Sequence, residues 1–186
     1  MAYLKLAFDG GEFCCVINYR TGLGVDYLER RQFFPDDLRG NWNWFQKQIP
    51  HNQNFSNIGV LHMLGVKREK QQQGFGRRAL RLVTHLMKSE GATVGFLEAD
   101  PYMNFCKDGY YEQYVAERVG FYGSEGWTQL ESEQPHPPRQ HMWMDFSQLI
   151  TRPPTETQWE KATEDEFNAG LSASNQEGYR PGTTDD

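Results

Sequence analysis

Val66-Lys67-Arg68-Glu69-Lys70-Gln71-Gln72-Gln73-Gly74-Phe75-Gly76-Arg77 is the stretch on which the fold turns. It joins an apolar run, Ile58 to Val66, to a segment where Phe75, Ala79, Leu80, Val83, Leu86 and Met87 recur at helical spacing before Gly91 stops the helix. A strand that enters a helix through a polar, glycine-bearing loop leaves amide hydrogens unpaired at the helix start, where the helix dipole favours an anion. Gly74 and Gly76 let the backbone approach a ligand closely, and Arg77 and Arg78 add positive charge at the same end. On physical grounds alone this loop is a candidate phosphate site; the same two glycines equally suit a plain structural turn.

Working outward, Ile58, Val60, His62, Leu64 and Val66 are expected on one strand face, because side chains alternate along a strand. Thr93 to Ala99 is a second apolar strand, which completes a strand–helix–strand unit. Upstream, residues 3–8 and 12–19 flank Asp9-Gly10-Gly11, the signal of a hairpin. Residues 23–48 change character: Tyr27, Leu28, Phe33 and Phe34 alternate with charges, and Pro35-Asp36-Asp37 reads as a helix start. Leu38, Trp42, Phe45 and Ile49 follow at three- and four-residue spacings, so two short helices are expected before a polar loop over 50–57. Downstream, the pattern predicts a helix over 108–119 with Tyr111, Tyr114, Val115 and Val119 inward, ended by Gly120-Phe121. Strands follow at Gly126 to Leu130 and Met142 to Phe146. The order specifies a mixed α/β (α+β) sheet with a central βαβ unit and flanking helices.

After Ile150, Arg152-Pro153-Pro154 is a breaker, and Thr155 is expected to cap a helix to about Gly170 with Trp159, Ala162 and Phe167 on one face. The expected organisation is one domain over 1–150 and an acidic tail over 151–186. That tail holds three basic and eight acidic side chains, which leaves the first 150 residues at −1 of the total −6. A body so balanced argues against nucleic-acid binding. An aromatic fraction of 14% argues for a packed core. Cys14, Cys15 and Cys106 form neither a disulfide framework nor a zinc site, which suggests a reducing, cytoplasmic compartment. No signal peptide or membrane-spanning run is read in the sequence.

The run Gln71-x-x-Gly74-x-Gly76 resembles the Q/R-x-x-G-x-G/A pyrophosphate-binding signature of the GNAT N-acetyltransferase superfamily, at that family's five-residue distance from the preceding strand. Ala116-Glu117-Arg118-Val119-Gly120-Phe121 looks like the family's final helix with its Gly-Phe ending, so the likeness covers roughly residues 58–121. The resemblance implies a GNAT-like, mostly antiparallel sheet and acetyl-CoA as co-substrate. By it, Gln71, Gln72, Gln73, Gly74, Phe75, Gly76 and Arg77 hold the coenzyme pyrophosphate. The amide of Val66 meets the pantetheine arm, the amide of Leu64 stabilises the thioester oxygen as it gains charge, and Asn104 touches the pantetheine. The arrangement His62-Met63-Leu64-Gly65-Val66 is similar to that of arylalkylamine N-acetyltransferases, where a histidine at this spacing is the general base. The plain alternative is a strand histidine with a hydrogen-bonded partner.

The sequence departs from the family in two places. Ala116 occupies the slot where many members carry an acidic tyrosine. Tyr114 lies roughly 200° around the helix from it, and Tyr110, Tyr111 and Cys106 are further acid candidates, with water as a substitute. Glu98 and Asp100 are candidate proton relays. Members usually place a strand and two helices before the first hairpin; here the helical insert, about 23–57, follows the hairpin, and Trp42, Trp44 and Phe45 either wall an acceptor site or cover the sheet. The implied activity is acetyl transfer to a small-molecule or peptide amine, by a protein of a family that often forms homodimers. The alternative is a catalytically silent coenzyme A–binding or interaction module.

Overall fold

The structure is a computed structural model that describes residues 2–8, 11–30, 47–50, 55–99, 111–130, 140–155 and 157–175. The hairpin comes first: β1 (Ala2–Phe8) pairs antiparallel with β2 (Glu12–Leu23), which is longer than its apolar run suggested. A short helix, α1 (Val25–Arg30), follows. Next come β3 (Ile58–Val66), a 3-10 turn (Arg68–Lys70), α2 (Phe75–Ser89) and β4 (Val94–Glu98). The chain closes with α3 (Tyr111–Ser124), β5 (Thr128–Gln129), β6 (His141–Asp145), β7 (Thr157–Lys161) and α4 (Glu164–Asn175).

Among the described residues the strands form one seven-stranded sheet in the order β5-β6-β4-β3-β2-β1-β7. Of these described pairs only β3 and β4 run parallel, joined by α2; the other neighbours are antiparallel. This is the mixed, mostly antiparallel sheet with a central βαβ unit that the sequence specifies. One hydrophobic cluster packs α2, through Phe75, Ala79, Leu80, Val83 and Met87, against Leu4, Leu6, Cys15, Ile17, Leu61 and Leu97. A second, on the other face, gathers Ile58, Val60, Val94, Phe96 and Trp143 around Leu28 of α1 and Ile49. At the end of α2, Glu90 accepts from the Tyr19 hydroxyl (2.6 Å) and the Thr21 hydroxyl (2.8 Å), which locks the helix to β2.

Three expectations are corrected. The β2–β3 register slips between Asn18↔Met63 and Tyr19↔Leu61, so His62 is an extra residue in β3, a β-bulge. A bulge changes which face later residues take. Ile58 and Val60 therefore enter the second cluster, whereas Leu64 and Val66 pack against the first. Second, α3 does not stop at Gly120-Phe121 but runs to Ser124, with Gly126 (φ 91°) supplying the left-handed turn beyond it.

Third, the helix expected from Thr155 starts at Glu164, and residues 157–161 form β7, paired with β1 from Leu4↔Lys161 to Phe8↔Thr157. The true helix start is a capping box. The Glu166 amide donates to the Thr163 hydroxyl (3.3 Å), and a Glu166 carboxylate oxygen accepts from the Thr163 amide (2.8 Å). Phe167 is buried and stacks on Tyr3 (5.0 Å between centroids), while Trp159 sits in β7 and is exposed. Residues 157–175 are thus a strand and a helix of the sheet assembly rather than an appended tail. Residues 176–186 lie outside the described residues, as do Asp9, Gly10, 31–46 and 101–110.

The docking of α4 is expected to be acid-sensitive. Glu166 is held at about pKa 2, first by the hydrogen bond from Lys5 and then by the Thr163 amide and hydroxyl. A depressed folded value means that its stabilising contribution is complete above the unfolded carboxylate value, about 4.3, and is lost as pH falls through the folded one. Amide protection factors at the start of α4, taken relative to intrinsic exchange at each pH, should fall across that window. In Glu166→Gln they should be low already at neutral pH and flat below it.

Candidate functional site

The site begins where β3 and β4 part. Their ladder runs from Ile58↔Val94 to Leu61↔Leu97 and ends there, one residue before the His62 bulge. Beyond it β3 continues to Val66, paired on one side with β2. The Lys67 amide donates to the carbonyl of Cys14, its opposite number (2.8 Å). In an antiparallel ladder, residue pairs that exchange hydrogen bonds alternate with pairs that do not. Gly65 and Met63 therefore bond to Val16 and Asn18, and Leu64 and Val66 turn their amides and carbonyls away from β2, into the gap opened by β4.

The loop past Val66 carries two left-handed residues, Gln72 (φ 61°) and Gly74 (φ 81°). Gly74 is the N-cap of α2 and makes no side-chain cap; nothing lies within 4 Å of where its Cβ would be. The amides of the first turn have no carbonyl one turn earlier to bond, so they point out of the helix start. Gln71 and Gln73 shape the loop through their side chains. Gln71 donates to the carbonyls of Val66 (3.1 Å) and Ser174 (3.3 Å), and Gln73 donates to that of Glu69 (2.8 Å). Phe75 is buried beneath, with the Arg78 guanidinium 4.7 Å over its ring, and the Cβ position of Gly76 faces Val66 and Phe121.

Arg77 does something the sequence did not announce. Its Nε lies 2.8 Å from Glu125, a carboxylate whose side chain is 3% exposed and which also takes two hydrogen bonds from Arg81 (2.6 and 3.1 Å). Two arginines one turn apart on α2 clamp one buried carboxylate just past α3. The guanidinium of Arg77 is committed there, and its expected part in the loop falls to its amide.

His62, half-buried at the bulge, has its Nε2 3.1 Å from the Tyr27 hydroxyl of α1, with the rings edge-on at 6.1 Å. The Arg20 guanidinium lies 5.6 Å over the Tyr27 ring. In the sequence Tyr27 is only one member of an apolar alternation; that it reaches His62 depends on α1 folding back over the sheet, which no local signal encodes. Asn18, opposite Met63 on the face shared by Arg20, is 8% exposed, and its Oδ1 has no partner among the described residues. Tyr114 is buried in α3, and Ala116, in the tyrosine slot, is exposed. Glu98 is half-buried at the end of β4. Asn104, Cys106, Tyr110, Asp100, Trp42, Trp44 and Phe45 lie outside the described residues.

No family model matches the chain, and no curated protein matches it. Among solved structures it is similar to a bacterial toxin, at TM-score 0.44 and 17% identity over 75% of this chain and 64% of that one. The chain thus spans less than two thirds of the toxin's length. It is also similar to AtaTR bound with AcCoA, at TM-score 0.44 and 16% identity over 78% of this chain and 72% of that one. A third is Naa20 of Chaetomium thermophilum in complex with a bisubstrate analogue, at TM-score 0.44 and 14% identity over 79% of this chain and 67% of that one.

The Glu125 clamp fixes the start of α2 against the end of α3 and so holds the loop in place. Glu125→Gln puts an amide where two guanidinium groups converge. Both arginines are partly exposed and can rehydrate, so the expected loss is about 1–3 kcal/mol, seen as a melting temperature lower by roughly 2–10 °C in a thermal unfolding experiment.

Proposed function

We propose that this chain binds acetyl-CoA in the gap between β3 and β4 and transfers the acetyl group to a primary amine. The observation that carries the reading is the parting of β3 from β4 after Leu61 and Leu97, which turns the backbone of Leu64 and Val66 toward a gap that leads to the glycine loop. A pantetheine arm is a chain of amides that can complete such an edge as a strand would. The first-turn amides of α2, with Gly74 left-handed and open beside them, suit a pyrophosphate. In this reading the amides of Gln71 to Arg77 hold the diphosphate, and Asn104 contacts the arm.

The chemistry asks little more of the chain. An ammonium cannot attack a carbonyl, so a base must take its proton, and the His62 imidazole is assigned that part. The Tyr27 hydroxyl orients the imidazole and accepts from it once charged. The Leu64 amide donates to the thioester oxygen as the nitrogen adds to its carbon. The carbon–sulfur bond then breaks, and the thiolate takes a proton from water, since a thiol of pKa about 8.5 leaves readily. Ala116 is exposed and Tyr114 buried, so no tyrosine is assigned as acid. That same feature favours the second reading, a coenzyme-binding module without turnover.

Calorimetric titration separates these. Acetyl-CoA and free coenzyme A should both bind. Gly74→Asp, which places a carboxylate in open space at the helix start, should weaken both at least tenfold while the protein stays folded; unchanged affinity would remove the coenzyme from this loop. In a thiol-release assay against a panel of amines, His62→Ala should lower kcat by about 10²–10⁴ with coenzyme affinity kept. Binding without release of thiol for any amine would establish the silent module instead.

A further inference from the structure

The face of β2 and β3 turned toward α1 gathers three polar side chains around the bulge. Asn18 and Arg20 are two residues apart on β2, so they share that face, with Cα atoms about 6.6 Å apart. Asn18 stands opposite Met63 and Arg20 opposite Val60, and His62, the extra residue of β3, falls between those two levels. The His62 imidazole meets the Tyr27 hydroxyl at 3.1 Å, and the Arg20 guanidinium lies over the same Tyr27 ring, 5.6 Å from its centroid. Tyr27 thereby holds Arg20 and His62 to one place. Two members of the group are not explained by the fold. Asn18 is 8% exposed, yet its Oδ1 has no hydrogen-bond partner among the described residues, and a buried polar atom left unpaired is destabilising. Arg20 is half-buried on an aromatic ring and forms no ion pair among the described residues.

We infer that Asn18 and Arg20 line the acceptor site, and that the acceptor is an amine with a carboxylate a few bonds from its nitrogen, a free amino acid being the simplest. This rests on the transferase reading for the reaction, and on the geometry alone for the binding. The glycine loop and α2 belong to the side of the first cluster, and His62 to the other side. The acceptor therefore reaches the gap from the α1 face, past Asn18 and Arg20. The Asn18 Oδ1 accepts an N–H of the amine and keeps the nitrogen beside His62. The Arg20 guanidinium donates in a fork to both oxygens of the carboxylate. Charge decides between acceptor classes. An ammonium that carries no anion enters beside an unpaired guanidinium and is repelled. An amino acid brings one charge of each sign, and each meets its complement. The nitrogen loses one proton to His62 before it adds to the thioester carbon. It loses a second as the carbon–sulfur bond breaks, and this balances the proton that the thiolate takes from water.

The test titrates the full chain, held with free coenzyme A so that nothing reacts, with each of the common amino acids singly. At least one should bind, and its methyl ester should bind at least about tenfold more weakly, the loss of one charge-assisted contact. Arg20→Met should erase that difference, and Arg20→Lys, which keeps the charge without the fork, should keep part of it. With acetyl-CoA in a thiol-release assay the same amino acid should exceed its ester in kcat/KM by about tenfold or more, although the ester's amine gives up its proton more readily. Asn18→Leu should lower kcat/KM for that amino acid by a similar factor and raise the melting temperature, because the unpaired oxygen goes with it; a purely structural Asn18 would give a lower melting temperature. Amino-acid binding that depends on Arg20 without release of thiol would sink the transferase reading and leave this site standing. Three results overturn the inference: no amino acid binds, plain alkylamines release thiol as fast as any amino acid, or the preference for the acid survives Arg20→Met.

Discussion

The candidate site depends on one constraint: among the described residues, β3 has a partner on both sides only from Ile58 to Leu61. From Ile58 to Leu61 its backbone is spent on β2 and β4 together. From His62 on, β2 is its partner, while β4, paired with β6 from Val94 to Glu98, no longer bonds to it. Buried backbone groups are costly to leave unmade, so a sheet that opens its own middle must offer those groups to something. Gln71 takes the carbonyl of Val66 with its side chain. The amides of Leu64 and Val66 remain directed into the gap. The bulge at His62 and the end of the pairing with β4 fall at adjacent residues of β3.

Much of this was legible before the fold was known, and what was not has identifiable causes. The helical repeat from Phe75 to Met87 and its glycine loop are local signals, and α2 occupies nearly the expected span. The bulge is not local: nothing in Leu61-His62-Met63 distinguishes it from a regular strand, and it appears only when β3 is laid against β2. That is why Leu64 and Val66 parted from Ile58 and Val60. The C-terminal segment misled for a different reason. Thr155-x-x-Gln158 and Thr163-x-x-Glu166 have the same helix-starting pattern, and the apolar stripe in between fits a helix as well as a strand. Pairing with β1, a partner about 150 positions away in the chain, decided between them. Tyr27 and Glu125 were missed because the contacts that give them meaning, to His62 and to Arg77 and Arg81, are all non-local.

Residues 157–175 also explain how the loop at 71–76 is supported from below. Gly65 on β3 packs so closely under α4 that a Cβ there would lie 2.9 Å from the Ser174 hydroxyl and 3.2 Å from Val16. The end of α4 thereby reaches the loop, where Gln71 bridges Ser174 to Val66. On the other side, Lys70 bonds Glu12 at 2.7 Å and ties the same loop to the hairpin. A loop whose ends are held at β2, β3 and α4 can keep two left-handed residues in place without any side-chain cap, which is the condition for presenting bare amides. Arg77 and Arg81 complete the frame by fastening α2 to Glu125.

The two faces of β3 therefore have separate work. Leu64 and Val66 send their side chains to the α2 cluster while their amides line the gap. His62 stays on the side of Ile58 and Val60, where it meets Tyr27 of α1, and the bulge moves Leu64 and Val66 to the other side. A single extra residue is enough to leave His62 on one side of the sheet and send the side chains of Leu64 and Val66 to the other. Were β3 regular, Leu64 and Val66 would follow the alternation set by Ile58, Val60 and His62 and face the second cluster. The bulge sets His62 and the side chains of Leu64 and Val66 on opposite sides of β3, and the bonds of Gln71 and the Glu125 clamp hold the glycine loop at the end of that strand.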